Sequence, residues 1–214
     1  MTAIQYIALA AVAFCICGLS TFFFKIVRLG KPKDLSEKSG DVAKGVVYSN
    51  TEAMMPQNKE SAYLHLPEYA AGILFHIGSF VSLLIFVLSF FPFFNRWIGG
   101  TDRIHYLIAL LPLAGCICGY ILLCRRYLNK EMRAWSTIDD YLANFLTSTF
   151  QLMTLLFLLF PTTKAVVVIY YIACCLLFCY MPFGKLRHVV YYFAARYHLG
   201  FFYGWRNVWP PKKS

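Results

Sequence analysis

Apolar and polar residues do not alternate along this chain; they come in blocks. Five apolar runs of roughly membrane-spanning length, near 20 residues each, are separated by short polar turns and one long polar segment. Residues 4–24 form the first run, without a charge. No Lys or Arg precedes it, so it reads as a retained membrane helix rather than a cleaved signal. Residues 25–66 are polar and carry Gly30, Pro32, Gly40, Gly45 and Pro56 among mixed charges. They are too long for a plain connector, which predicts an ordered loop, either a docking surface for a partner or a solvated loop. Pro67 suits a first helical turn, and apolar residues continue to Phe94. After the turn at residues 95–103, the third and fourth spans cover residues 104–124 and about 141–160. The fifth begins at Ala165, passes through His188 and extends toward Tyr203. The pattern predicts an all-α, five-span integral membrane bundle. It is one domain over residues 1–214, with a loop at 25–66 and a tail from about residue 199.

Charge fixes a direction. Of the 20 Lys and Arg, 17 fall on one side of the five predicted spans, including Lys31, Lys212 and Lys213, and only Arg96, Arg103 and Lys164 on the other. The positive-inside rule then puts the amino terminus outside and the carboxy terminus in the cytoplasm. Only 14% of residues are charged and 59% are hydrophobic, against about 25% charged in a soluble domain. The net charge of +10 therefore reflects topology, and no nucleic-acid partner is expected. Eight cysteines sit in or at the edge of apolar runs without a Cys-x-x-Cys pair. That spacing disfavours zinc, iron–sulfur clusters and covalent haem attachment. They read as small buried hydrophobes.

The chemistry falls to the histidines. His76 and His188 each lie in a long apolar run with a glycine four residues earlier, Gly72 and Gly184. On one helix, residues i and i+4 share a face, so each imidazole would adjoin a bare patch fit for a flat macrocycle. Ionisable groups at membrane depth are costly and usually functional. The expectation is one b-type haem with His76 and His188 as axial ligands. Spans two and five are antiparallel, and the spacings from His65 to His76 and from His188 to His198 are 11 and 10 residues, roughly 15–16 Å on a helix. A second pair, His65 with His198, is thus geometrically allowed, although both fall at or beyond the headgroups; one haem is favoured. His105 reads as a boundary residue. Lys185, Arg187, Arg125 and Arg126 are candidates for propionate contacts. Absent nucleophiles and phosphate loops argue against hydrolytic or group-transfer chemistry. A membrane transporter or a cofactor-free anchor are the alternatives.

The segment from Arg125 to Tyr141, the helix after it with Gln151, and the motifs Leu74-Phe-His76-Ile-Gly and Pro182-Phe-Gly-Lys-Leu-Arg-His188-Val resemble the nitrate reductase gamma family. The resemblance covers most of the chain. The long first loop and Asp139-Asp140-Tyr141 are more similar to its branch in heterodisulfide-reductase-type and sulfate-respiration complexes. It implies a cytochrome b in the cytoplasmic membrane of a prokaryote. Such a subunit exchanges electrons between menaquinone or another membrane quinone and a cytoplasmic iron–sulfur partner, whose subunit carries the substrate chemistry. It implies His76 and His188 as ligands of the inner haem. The positions corresponding to the family's outer haem ligands are Phe86 and Tyr170, which lack an imidazole. The resemblance leaves the quinone site unassigned.

Overall fold

The computed structural model describes residues 2–30, 33–59, 62–100 and 103–211; Lys31, Pro32, Lys212 and Lys213, all read above, lie outside the described residues. The chain is all-α. In order it forms α1 (Ala3–Arg28), α2 (Val42–Asn50), α3 (Leu66–Leu88), α4 (Pro92–Ile98), α5 (Ile104–Leu128), α6 (Lys130–Ala134), α7 (Ile138–Leu159), α8 (Lys164–Tyr180) and α9 (His188–Trp205). Among the described residues α1, α3, α5 and α7 are each long and apolar enough to cross a membrane, and α8 with α9 qualifies as a fifth, broken span. An all-α membrane bundle is what the blocks of apolar sequence required, because every backbone group in hydrocarbon must be satisfied within its own helix.

Two breaks depart from the sequence reading. Helix α3 ends at Leu88, before the second apolar run does. Phe91 is extended, Pro92 starts the separate helix α4, and the Asn95 side chain donates to the Ser89 carbonyl at 2.7 Å. The fifth run is also interrupted. Pro182 brings no N–H to the ladder and disfavours helix at the residue before it, and the Tyr180 carbonyl accepts from both Phe183 and Gly184 at 3.0 Å. A 3-10 turn at Lys185–Arg187 follows before α9 begins. Hydropathy alone could not see either break, since the flanking residues remain apolar.

The chain's contacts fall into two compact units, Met1–Ile16 with Pro67–Leu186, and Cys17–Leu66 with Arg187–Ser214. In the first, α3, α5 and α7 meet through small residues. A Cβ added at Gly78 would lie 2.8 Å from the Gly115 Cα, so α3 and α5 touch backbone to backbone. A Cβ at Gly119 would lie 2.8 Å from the Phe75 ring and overlap the Ser148 hydroxyl. Close approach at small residues is how membrane helices gain dispersion energy without a hydrophobic drive. Tyr120 and Thr149 hydroxyls bond across α5 and α7 at 3.0 Å.

In the second unit, residues 33–59 of the polar segment carry α2 and two short 3-10 turns. Asp41 caps α2 by accepting from the Ala43 and Lys44 amides. α2 then lies directly on α9: a Cβ at Gly45 would sit 2.5 Å from the Gly204 Cα, and one at Gly200 would sit 2.5 Å from the Val46 Cα. Ser49 donates to the Arg196 carbonyl at 2.7 Å. The Ser39 and Gly40 amides donate to the Trp205 carbonyl at 3.0 Å, and Trp205 donates its indole N–H to the Ser36 carbonyl at 2.8 Å.

Candidate functional site

Helix α3 carries His76. Its buried residues Gly78, Ser82, Ile85 and Phe86 define an inward stripe, which turns His76 to the exposed face with Ile73, Leu74, Ile77 and Phe80. The ring is fixed locally. His76 Nδ1 lies 2.7 Å from the Gly72 carbonyl oxygen. A carbonyl only accepts, so Nδ1 must carry the proton, and the lone pair of the neutral ring lies on Nε2. A histidine ligand in a metal site is held in this way, its other nitrogen donating to a carbonyl or carboxylate. Phe75 meets the imidazole edge-on, with centroids 5.7 Å apart. Beside it the Gly72 patch is open: a Cβ there would meet nothing within 4 Å.

The helix face that points His76 outward is set from α7. Gln151 is fully buried. Its Nε2 donates to the Ser79 hydroxyl at 2.8 Å and to the Phe75 carbonyl at 3.2 Å. Because Phe75 offers only an acceptor there, the amide must face it with its nitrogen. The Gln151 oxygen is left without a partner, wedged against the space that Gly78 and Gly115 leave vacant. A buried amide in hydrocarbon that keeps one unpaired acceptor carries a desolvation cost. The three-helix contact therefore centres on the turn that bears His76.

The basic candidates are engaged inside the protein. Arg125, in the last turn of α5, pairs with Glu68 in the first turn of α3 at 2.5 Å. Arg126 lies 3.2 Å from Asp140 and donates to the Ser136 hydroxyl at 3.3 Å. Lys185 also pairs with Asp140, which is buried and completes the capping box of α7 with Thr137. Tyr180 donates to the Asp139 carboxylate. Arg187, in the second unit, rests on the Phe22 ring with its guanidinium 5.7 Å from the centroid, and Lys25 lies 5.3 Å over the same ring.

His188 is the first residue of α9 and is exposed. It does not share a helix with Gly184, which sits in the turn after α8. The space beside Gly184 is not bare: the Tyr180 ring occupies it. His76 belongs to the first unit, and His65, His188 and His198 to the second. His65 is exposed in a 3-10 turn ahead of α3, and His198 is exposed on α9. His105 differs from all of these. It is 2% exposed, neither ring nitrogen has a hydrogen-bond partner, and it lies against Trp97 and Tyr106.

Phe86 and Tyr170 lie in packed aromatic core. Phe86 contacts Phe90 and Phe178 with centroids 5.1 and 5.0 Å apart. Tyr170 is fully buried and stacks on Phe157 at 4.5 Å. The cysteines are free thiols, and only Cys15, Cys116 and Cys174 are buried. Cys17, Cys124 and Cys179 are exposed instead, because the outward face of a membrane helix is apolar too. Among the described residues, no group of three or more His, Cys, Asp or Glu is placed to hold a metal ion. The roles of Gln151, Gly78 and Gly115 were not apparent in the sequence; the spacing of Gly115 and Gly119, small residues one turn apart, was the available signal. No family model matches the chain, and no curated protein or solved structure matches it significantly.

Proposed function

We propose that this chain is the haem b subunit of a quinone-linked oxidoreductase complex, carrying electrons between membrane quinone and a cytoplasmic iron–sulfur partner. The amino terminus lies outside and the carboxy terminus in the cytoplasm of a prokaryotic cell. One observation carries the reading: His76 lies midway along a helix long and apolar enough to cross a membrane, on its exposed face, with its Nδ1 tied to the Gly72 carbonyl at 2.7 Å and its Nε2 lone pair directed away. An imidazole held like that costs free energy in hydrocarbon and has the form of an axial ligand. Bound haem supplies one-electron transfer. The chain's own part is to present Nε2, to hold its tautomer through Gly72, and to fix the α3 face through Gln151.

His188 is the second ligand in this proposal, on the strength of the sequence motif. The packed rings around Phe86 and Tyr170 disfavour a haem at the family's outer position; one haem is favoured, with His65 and His198 as the alternative second pair. Lys185, Arg125 and Arg126 already have carboxylate partners, which leaves Arg187 as the propionate candidate with no carboxylate among its described contacts.

The test is a visible spectrum of the purified full chain. Reduction should produce the sharp α-band of a low-spin haem, at one haem per chain. His76→Ala or His188→Ala should each abolish it, whereas His105→Ala should leave it. A folded, colourless protein would remove the redox assignment and leave a cofactor-free anchor or a transporter.

A further inference from the structure

A second site lies elsewhere in the first unit. α5 and α7 are in near contact at Gly115 and Gly119, and Arg126 in the last turn of α5 pairs with Asp140 in the first turn of α7. Beside this junction opens a groove of about 570 Å³, within the range of ligand pockets. Leu123, Cys124 and Leu128 of α5 and Leu142 and Phe145 of α7 form its walls, with Tyr127 beside them. Apart from the Tyr127 and Tyr141 hydroxyls, the lining is hydrocarbon and one thiol.

The rim has the opposite character. Arg133 of α6 donates to the Tyr127 carbonyl at 3.4 Å, which seats its guanidinium at the groove's edge. Lys130 lies one turn earlier on the same face of α6. Both are exposed, and among the described residues no carboxylate pairs with either; Glu131, their neighbour, projects from another face. Trp135, just beyond, is 90% exposed, and Ile138, itself a wall residue of the groove, is 86% exposed. An exposed indole of this kind settles at the headgroup level of a bilayer. An apolar slot below two uncompensated cations fits an amphiphile with a hydrocarbon chain and an anionic head. A quinone head is neutral, and a zwitterionic lipid brings a cation of its own.

We propose that this groove binds an acidic phospholipid, with an acyl chain along Leu123, Leu128, Leu142 and Phe145 and the phosphate under Arg133 and Lys130. The site is independent of the haem assignment. Native mass spectrometry of the full chain, released from detergent with equimolar dioleoyl phosphatidylglycerol and dioleoyl phosphatidylcholine, tests it. The native chain should retain the glycerol lipid roughly tenfold over the choline lipid, from the attraction of two surface cations. Lys130→Ala with Arg133→Ala should bring the two to parity. Leu142→Trp, at a half-exposed wall position, should fill the slot and cut retention severalfold with both charges intact. Equal retention of the two lipids by the native chain overturns the proposal. So does a preference that survives loss of the charges, one that ignores Leu142→Trp, or displacement of the phospholipid by added menaquinone.

Discussion

Both units are built on glycine, and they use it differently. In the first, Gly78, Gly115 and Gly119 let α3, α5 and α7 close on one another, and a polar side chain, Gln151, fills the space between. In the second, Gly45, Gly200 and Gly204 bring α2 and α9 together with nothing between the backbones, and hydrogen bonds at the margins hold them there. The difference follows from the helices themselves. Inside a membrane a buried amide has no water to compete for it, so Gln151 can act as a cross-link. The nine-residue α2 places no such amide against α9 and holds on by contact area and capping.

The largest effect should come from filling the first contact. Gly115→Leu would force a branched side chain against the Gly78 Cα and the Gln151 amide, in a place where three helices converge. Overpacking of this kind costs about 3 kcal/mol or more. The expected outcome is loss of a monodisperse, folded protein, measured by size exclusion after extraction and by thermal unfolding. Gly45→Leu should cost less, about 2–3 kcal/mol, because α2 can lift away from α9. Limited proteolysis within residues 33–59 should then accelerate at least tenfold while α3, α5 and α7 stay protected. If Gly45→Leu also unfolds those helices, the two contacts are not separable and the comparison fails.

These contrasts also show what could be read in advance. The membrane helices were legible because hydropathy acts over some 20 residues, and α1, α3, α5 and α7 were each found where an apolar run lay. The break at Pro182 was written in the sequence but masked by the apolar residues on both sides of it. His76 was visible as a histidine out of place. Its tether to Gly72 follows from helical spacing. The Gln151 cross-link does not, because nothing local says which helix lies across from Ser79. The bare patch expected at Gly184 failed for a related reason: Tyr180 is four residues earlier, but its ring reaches the glycine only because the helix ends between them.

Gln151→Leu sharpens the comparison at the next level down. The substitution keeps the volume, removes the bonds to Ser79 and the Phe75 carbonyl, and also removes an oxygen that had no partner. The net destabilisation should be about 1 kcal/mol, near the average for membrane hydrogen bonds, measured by thermal unfolding in detergent. If haem is bound, loosening the α3 turn that carries His76 should shift its reduction potential. An unchanged potential would mean that Gly72 alone fixes the imidazole.

The smallest effect belongs to acid, and in the second unit it acts through Asp34. Asp34 accepts from the Ser36 amide, pairs with Arg206 and accepts from the Ser36 hydroxyl, which together hold its carboxyl down at about 2 from an ordinary 3.8. A carboxyl whose pKa is lower folded than unfolded stabilises the fold above the unfolded value, and that contribution disappears as pH falls from about 4 toward 2. The tie between Asp34 and the end of α9 should therefore loosen in that window. The segment also carries Glu37, Asp41 and Glu52, so the decisive comparison is with Asp34→Asn. That variant should already be loosened at neutral pH, seen as faster amide exchange around Ser36 and Ser39, and should lose part of the acid response. If the native chain and the Asp34→Asn variant respond identically between about pH 4 and 2, the ion pair contributes nothing, and the second unit rests on its glycine contact and the hydrogen bonds beside it.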